Sequence, residues 1–281
     1  MTSRCARQPL ATALALVLCL AVSVGCGSGA NSTSSSAAGP GAVGPSTAGG
    51  SPPASVLSPR PSTPGRATST PTASSFPSSL PGLAGWTVIT PQAVDIAVDG
   101  GSIRLTLTRR ALWFQGQRGV LVGQPVTGDF RISAIVRATD RAGVPLVDRH
   151  DGLVELGGLM ARADNAAREN YVFIVVGTDP NGLSVETKST LDSASRFEGP
   201  AWPSATADLR LCRRDAEFTA WKRPAQGTDA WELAATFDRP DLPKTLLVGP
   251  NVYASDQPDL VVTFSHLSIE PLAAGSDCRA G

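Results

Sequence analysis

Ala207–Leu233, ADLRLCRRDAEFTAWKRPAQGTDAWEL, contains two runs of alternating side chains, Asp208–Arg214 and Glu217–Arg223. A short polar break at Asp215-Ala216 separates them. Because successive side chains of a strand point to opposite faces, the runs predict a β-hairpin with two unlike faces. Such a sheet is expected as half of a sandwich with an outward-looking surface. The apolar face carries Leu209, Leu211, Phe218 and Ala220, and the polar face Arg210, Cys212, Arg214, Thr219, Trp221 and Arg223.

Charge is spread unevenly along the 281 residues. The chain has no charged residue between Arg7 and Arg60, and its first carboxylate is Asp95. The 24 basic and 24 acidic residues cancel, which gives no general reason to expect nucleic acid as a partner. Residues 83–274 form a domain long enough to bury a substantial core, followed by a tail over 275–281.

The N-terminus has the layout of an export signal over residues 1–25. Arg4 and Arg7 precede an apolar run, Leu10–Val24, that ends in small residues. The run is shorter than the roughly 20 apolar residues that a membrane-spanning helix needs. Ser23-Val24-Gly25-Cys26 resembles the lipobox of bacterial lipoproteins, with Ser23 where that pattern usually has Leu. The resemblance implies lipidation of Cys26 and an extracytoplasmic protein anchored to a bacterial membrane. The alternatives are a plain secretory signal or an uncleaved anchor.

Residues 26–82 consist almost entirely of Ser, Thr, Pro, Gly and Ala. Such a segment buries too little apolar surface to offset its ordering entropy, so we predict a disordered linker. A flexible coil of this length spans roughly 40 Å. The linker is therefore expected to hold the domain away from the membrane, and an O-glycosylated stalk is the alternative.

The remaining chain is a series of short alternating or β-branched runs between turns, one of which is Asp179-Pro180-Asn181-Gly182. One short segment, Asp164–Glu169, is a helical candidate, and Leu191–Ser204 is a predicted loop. About a dozen strands without crossover helices predict an all-β, antiparallel two-sheet sandwich of the jelly-roll type. The predicted strands are Trp86–Thr90, Ser102–Thr108, Gly119–Val122, Phe130–Arg137, Leu153–Arg162, Tyr171–Val176, Leu183–Thr187, Asp208–Arg214, Glu217–Arg223, Trp231–Phe237, Thr245–Tyr253 and Leu260–Ile269.

Several of these strands together resemble one family pattern. Gly157-Gly158-Leu159-Met160-Ala161-Arg162, Ala207–Arg214, Phe218-Thr219-Ala220-Trp221 and the later Trp231 are similar to the concanavalin A-like lectin/glucanase superfamily. Within it they resemble bacterial domains of largely unassigned function, over roughly residues 85–272. Two elements depart from the pattern: Ala216 replaces the usual Gly of an Asp-Gly turn, and Gln226-Gly227-Thr228 replaces a Ser-x-Asp-Gly element.

The carboxylates do not follow the pattern of the superfamily's glucanases. Those enzymes carry a closely spaced Glu-x-Asp-x-Glu strand that supplies nucleophile and acid/base, and no such motif occurs here. Glu186 is a candidate ligand-binding residue on a face it is expected to share with Arg162 and Arg210, and an ion pair at the sheet surface is the favoured interpretation. Enzymatic activity therefore stays open, and a binding domain is favoured over a hydrolase.

Metal sites have little support in the sequence. His150 and His266 are the two histidines and lie far apart, so we expect no transition-metal site and no cofactor. Calcium stays open as an alternative, since its ligands are scattered oxygens. The candidate calcium ligands are Asp148, Asp151, Asp179 and Asn181.

Cys212 and Cys278 are an even pair in an exported domain, which favours a disulfide that pins the C-terminal tail beside the opening hairpin. Two free thiols are the alternative.

Carbohydrate binding needs aromatic surface with planar polar groups beside it. We predict that Trp221, Arg210 and Arg162 share one such sheet face with Met160 beside them, and that Trp113 and Trp202 form a rim. For Trp221, surface function and plain packing are both open. Trp86 and Trp231 are expected to pack in or against the core, and for Trp113-Phe114 such packing is the alternative to a place on the rim.

The sequence thus favours a membrane-anchored lipoprotein whose lectin-like sandwich binds glycan or another cell-envelope component, with no nucleic-acid partner. The alternatives are a glycoside-processing enzyme with non-standard carboxylates and a ligand-free protein-interaction module.

Overall fold

Strands account for nearly all regular structure in the computed structural model, which describes residues 74–75, 85–164, 167–256, 258–273 and 275–279. These residues lie in one compact unit, Gly65–Gly281. The strands are β1 Ser74–Ser75, β2 Thr87–Ile89, β3 Val94–Asp99, β4 Ser102–Leu107, β5 Val120–Thr127, β6 Phe130–Thr139, β7 Glu155–Arg162, β8 Tyr171–Asp179, β9 Gly182–Leu191, β10 Ala194–Glu198, β11 Thr206–Arg214, β12 Glu217–Arg223, β13 Glu232–Asp238, β14 Thr245–Ala254 and β15 Val261–Pro271, with one 3-10 turn at Pro91–Ala93.

The strands form two antiparallel sheets, which confirms the predicted sandwich. Sheet I has the order β13-β12-β11-β6-β15-β4-β3, with β1 added beside β15. Sheet II has the order β10-β9-β8-β7-β14-β5-β2. Each sheet presents one face to the other and one outer face away from the core.

The core lies between the inner faces. Leu209, Leu211, Phe218 and Ala220 are all buried in it, as their alternation predicts. Burying a Leu or Phe side chain stabilises the fold by about 1.5–3 kcal/mol, so these positions alone commit the hairpin to its register. A shift of one residue would move Arg210 and Cys212 into the core instead.

The turn between β11 and β12 adapts to the missing glycine. Asp215 takes the left-handed conformation with φ of 50°, which Asp tolerates better than most residues. The Asp215 amide donates to Asp129 Oδ1 at 2.8 Å, and the Arg239 amide donates to the Ala216 carbonyl at 2.8 Å. The turn is therefore held by neighbouring chain rather than by an Asp-Gly pair.

All twelve predicted strands are present, with ends shifted by a few residues. The helical candidate Asp164–Glu169 is wrong, because none of its described residues is helical. The predicted loop Leu191–Ser204 contains β10, an edge strand that pairs with β9. β3 was not predicted.

The N-terminal predictions fall largely outside the described residues. These are the signal over 1–25, the lipidated Cys26 and most of the linker 26–82. Within that linker, Ser74 and Ser75 pair with Ile269 and Ser268 of β15. None of the helical segments in the described part of the chain is long and apolar enough to span a bilayer.

Candidate functional site

The predicted platform on the outer face of sheet I is covered by the chain itself. Arg210 and Trp221 are cross-strand partners, but their exposed fractions are only 4% and 6%. Cys212 and Cys278 form the predicted disulfide across 66 residues, with Cα atoms 6.3 Å apart. Arg210 Nη1 donates to the Cys278 carbonyl at 2.6 Å, and the Arg279 guanidinium lies 4.8 Å from the Trp221 ring centroid. Of the two interpretations of Trp221, the structure supports packing.

Trp231 completes this covered region, which we call the tail patch (Arg210, Cys212, Trp221, Trp231 and Cys278–Arg279). Its half-buried ring lies 4.2 Å from the Arg210 guanidinium and 4.3 Å from that of Arg223. Burial, with Arg131 nearby, lowers the pKa of Arg210 to about 10. The arginine side chains and tryptophan rings of the tail patch therefore contact one another.

Arg162 does not belong to this face, which corrects the prediction that it joins Arg210 and Trp221. Arg162 and Met160 lie on the outer face of sheet II, where Arg162 pairs across strands with Tyr171 and Leu247. Its guanidinium is buried and binds Glu169 through two hydrogen bonds of 2.8 and 3.0 Å. Burial opposes ionisation of Glu169, but hydrogen bonds from Arg162 and Arg118 lower its pKa overall. Arg162 is therefore committed to a structural ion pair.

The outer face of sheet II is covered by a connection that we call the strap, residues 111–119. Its first residue, Ala111, bridges to Ala254. Trp113 is fully buried, so of its two predicted places the structure supports packing and not the rim. Its ring packs edge-on to Tyr171 with centroids 5.3 Å apart, and Nε1 donates to the Val120 carbonyl at 3.4 Å. A Cβ on Gly119 would overlap this ring, so glycine is required there.

Beneath the strap, a buried lysine is enclosed by aromatic rings. Lys188 Nζ donates to the Trp113 carbonyl at 3.0 Å and lies 3.0 Å from Glu186 Oε1. The exposed fractions of Lys188 and Glu186 are 3% and 5%. Burial lowers the pKa of Lys188, and the nearby Glu186 carboxylate opposes that shift. Four ring centroids lie 4.9–5.9 Å from Nζ, those of Phe114, Phe173, Phe197 and Tyr253.

Glu186 therefore has a different partner from the predicted one. It shares the outer face of sheet II with Arg162 but not with Arg210, and its ion pair is with Lys188. Tyr253 donates its hydroxyl to Glu186 Oε1 at 2.8 Å, and burial followed by the Glu186 charge raises the pKa of Tyr253 well above 10. A glycosidase carboxylate must reach the scissile bond, and this one is enclosed. The pattern of the sequence did not single out Lys188 or Tyr253, because nothing local marks them as neighbours.

The other half of the outer face of sheet I is open. Thr206, Arg137, Thr263 and Arg104 stand in one cross-strand row over β11, β6, β15 and β4. Two adjoining grooves of about 610 and 470 Å³ run along this row and share Arg137 and Thr263. We call their union the sheet I groove.

Trp202 stands at the rim of the sheet I groove, whereas the platform for which it was predicted as a rim residue is covered. Its backbone amide donates to the Leu183 carbonyl at 3.0 Å and its Nε1 to the Thr206 carbonyl at 3.3 Å. Lys222 Nζ lies 4.8 Å from the ring centroid. The indole is thus fixed in place yet half-buried, so part of its surface borders the groove. The other groove residues near it are Thr206, Gln226, Ser265 and the exposed His266.

The carboxylates predicted as calcium ligands accept hydrogen bonds from backbone amides of the protein. Asp179 Oδ1 accepts from the Asn181 amide at 2.7 Å, and Asp148 Oδ1 accepts from the Leu183 amide at 2.9 Å. Asp151 Oδ1 accepts from the Leu153 amide at 3.0 Å. Among the described residues, no group of three or more His, Cys, Asp or Glu side chains is placed to hold a metal ion.

Comparisons with known proteins bear on the fold. No family model and no curated protein matches the chain. Among solved structures, a functionally unknown protein from Saccharomyces cerevisiae is similar, with a TM-score of 0.53, 17% identity, and coverage of 68% of this chain and 98% of that one.

The GH43 protein BlXynB of Bacillus licheniformis is similar with a TM-score of 0.52 and 11% identity; the match covers 72% of this chain and 39% of that one. At these identities the likeness shows a shared sandwich fold, consistent with the concanavalin A-like resemblance.

Proposed function

We propose that the protein is a carbohydrate-binding sandwich that takes a glycan in the sheet I groove. The observation that carries the proposal is a difference in solvent access. The tail patch and the outer face of sheet II beneath the strap are covered, and the sheet I groove is open. The groove also has the chemistry that sugars need. Trp202 offers indole surface for the apolar side of a ring, and Arg137, Gln226 and His266 offer polar groups for hydroxyls.

Two further observations support glycan as the class of ligand. Ligand sites combine concave shape with a few convergent polar groups, and Thr206, Thr263 and Ser265 add hydroxyls along the floor of this groove. The fold is shared with part of a GH43 protein, of which the match covers 39%. Fold does not decide function, so the groove carries the proposal.

We also propose that the chain is an extracytoplasmic lipoprotein. Arg4, Arg7, the apolar run Leu10–Val24 and the lipobox-like Cys26 support export and acylation. Two or more acyl chains would anchor the protein stably, and residues 27–73 would then hold the sandwich at a distance from the bilayer. Metabolic labelling with a fatty acid should mark the protein, and Cys26→Ala should abolish the label. A labelled Cys26→Ala variant would contradict this proposal.

Glycan binding is tested by co-sedimentation with insoluble polysaccharides and by affinity electrophoresis with soluble ones. We expect Trp202→Ala to weaken binding by about tenfold or more. Because Trp202 also touches the core, Gln226→Ala serves as a second variant on an exposed loop, and it should weaken binding without altering stability. Phe114→Ala on the strap is the matched aromatic control. Glycan binding that neither groove substitution weakens, or no binding to any glycan of the panel, would refute the proposal.

A further inference from the structure

We infer that the glycan bound in the sheet I groove is acidic, with its anionic group held by Arg137 and Arg104. The inference rests on the proposed function and narrows it to one class of ligand. It concerns the part of the groove beyond Trp202, where β6, β15 and β4 lie side by side.

The two arginines flank one threonine on a flat stretch of sheet. Thr263 is the cross-strand partner of Arg137 on one side and of Arg104 on the other. Neighbouring strands lie about 4.8 Å apart, so the two Cα atoms are separated by about 10 Å across the sheet. Residues in register share a face, and both side chains are exposed there. A ligand lying across the strands therefore meets two guanidinium groups in succession.

Neither arginine is neutralised by the described part of the protein. Arg104 and Arg137 form no ion pair with a described carboxylate, and the one described side-chain hydrogen bond of Arg137 goes from Nη2 to the Gly143 carbonyl at 3.4 Å. Two other arginines of the same outer face contrast with them. Arg131 is held by Glu270 at 2.6 Å and Arg223 by Asp208 at 2.8 Å.

In this part of the groove the arginines outnumber the carboxylates. The portion around Arg104 and Arg137 also contains Arg141, so three arginines face two aspartates, Asp95 and Asp140. Asp140 Oδ1 is engaged by the Val144 amide at 2.8 Å. Arg141 donates through Nη2 to the Leu107 carbonyl at 2.5 Å and forms an ion pair with Asp259 at 3.6 Å, so Arg104 and Arg137 are the two groove arginines without a described carboxylate partner.

Guanidinium chemistry selects the class of ligand. The planar fork of Arg matches a carboxylate or a sulfate oxygen pair with two parallel hydrogen bonds, which are stronger than bonds to neutral acceptors. Sugar hydroxyls can be met by Thr106 and Thr263, which line the same surface. A uronic acid polymer, with ring hydroxyls and one carboxylate per residue, therefore fits better than a neutral polymer.

The test compares polygalacturonate with the same polymer after chemical reduction of its carboxyl groups, so that charge alone differs. We expect the protein to bind the acidic polymer about tenfold more tightly, and 1 M salt, where the Debye length is about 3 Å, to remove most of this preference. Arg104→Gln with Arg137→Gln should equalise the two affinities. Arg110→Gln, an exposed arginine outside the groove, is the control and should leave the preference intact.

The outcomes separate the inference from the proposed function. Equal affinity of the unmodified protein for both polymers, with loss on Trp202→Ala, overturns the acidic ligand and leaves glycan binding in place. A preference that survives the double Gln variant also overturns the inference, since the charge would be recognised elsewhere. Stronger binding of a sulfated polymer that depends on the same two arginines supports the inference and identifies sulfate as the group. Failure of every polymer to bind refutes both.

Discussion

The two outer faces of the sandwich differ in what occupies them. The outer face of sheet II is rich in aromatic residues, and the strap closes it with Trp113 while Lys188 and Glu186 neutralise each other beneath. The sheet I groove has a single tryptophan at its rim and is open. In this protein the outer face with many aromatic side chains is therefore buried, and the polar surface with few aromatic side chains is accessible. This contrast is why the proposed ligand is assigned to sheet I.

The strongest challenge to this contrast is removal of Trp113. Trp113→Ala deletes a fully buried ring and leaves a cavity against Tyr171, so unfolding free energy should fall by about 3–5 kcal/mol. Urea unfolding measures the loss. Phe114→Ala, at a ring that is 39% exposed in the same strap, should cost less than about 1 kcal/mol. Similar costs for both variants would show that the strap does not close the face.

Removing the disulfide tests the covered half of sheet I. Cys212→Ser with Cys278→Ser releases a crosslink spanning 66 residues, which loop-closure entropy values at roughly 4 kcal/mol. The tail should then leave Trp221, so acrylamide should quench tryptophan emission more strongly. Trp221→Phe in the same background identifies the residue responsible. Unchanged stability and quenching would mean that the tail patch holds without the bond.

High pH should act on the strapped face. Burial raises the pKa of Tyr171 to about 12, and burial also raises the pKa of Tyr253 well above 10. A tyrosine in the unfolded chain titrates near pH 10. The stabilisation that comes from keeping these tyrosines neutral and buried is therefore complete below pH 10 and is lost as the pH rises towards 12. The loss is about 1.4 kcal/mol per pH unit for each tyrosine.

The chain has two tyrosines, so phenolate absorbance reports this face alone. The folded protein should show no titration near pH 10, whereas the protein in guanidinium should. Tyr171→Phe isolates the signal of Tyr253. A folded-state phenolate signal near pH 10 would show that a tyrosine reaches solvent.

The smallest effect on stability is expected in the sheet I groove. Arg104→Gln and Arg137→Gln alter exposed side chains without a described ion pair, so each should change unfolding free energy by no more than about 0.5 kcal/mol. Thermal unfolding of the variants provides the measurement. A large loss would mean that these arginines support the sheet and are not free for a ligand.

The fold was largely predictable because alternation is a local property. Leu209, Leu211, Phe218 and Ala220 identify their face from spacing alone. The failures have local causes too. Ala194–Glu198 is an edge strand with mostly exposed side chains, so burial left no pattern in it. Asp164–Glu169 is too short for composition to distinguish a helix from a loop.

The site was less predictable, because its access depends on contacts between distant segments. Nothing near Trp221 indicates that Arg279 lies over its ring, and nothing near Trp113 indicates that Tyr171 receives it. The sequence singled out Trp202, but for the rim of the Trp221 platform, and it did not indicate Arg137 or Arg104 as residues of the groove. Arg137 and Arg104 come close together because β6 and β4 both pair with β15, and both strands are far from β15 in the sequence.

The enclosure of Lys188 has a spectroscopic consequence. Protons held above the face of an aromatic ring are shielded by its ring current, and the Lys188 amine lies near four rings. Its ε-methylene resonances should therefore move upfield of those of the exposed Lys244. Two of the four rings, Phe114 of the strap and Phe197 of β10, belong to exposed side chains. This lysine resonance would thus act as a built-in probe of whether the strap is closed in solution.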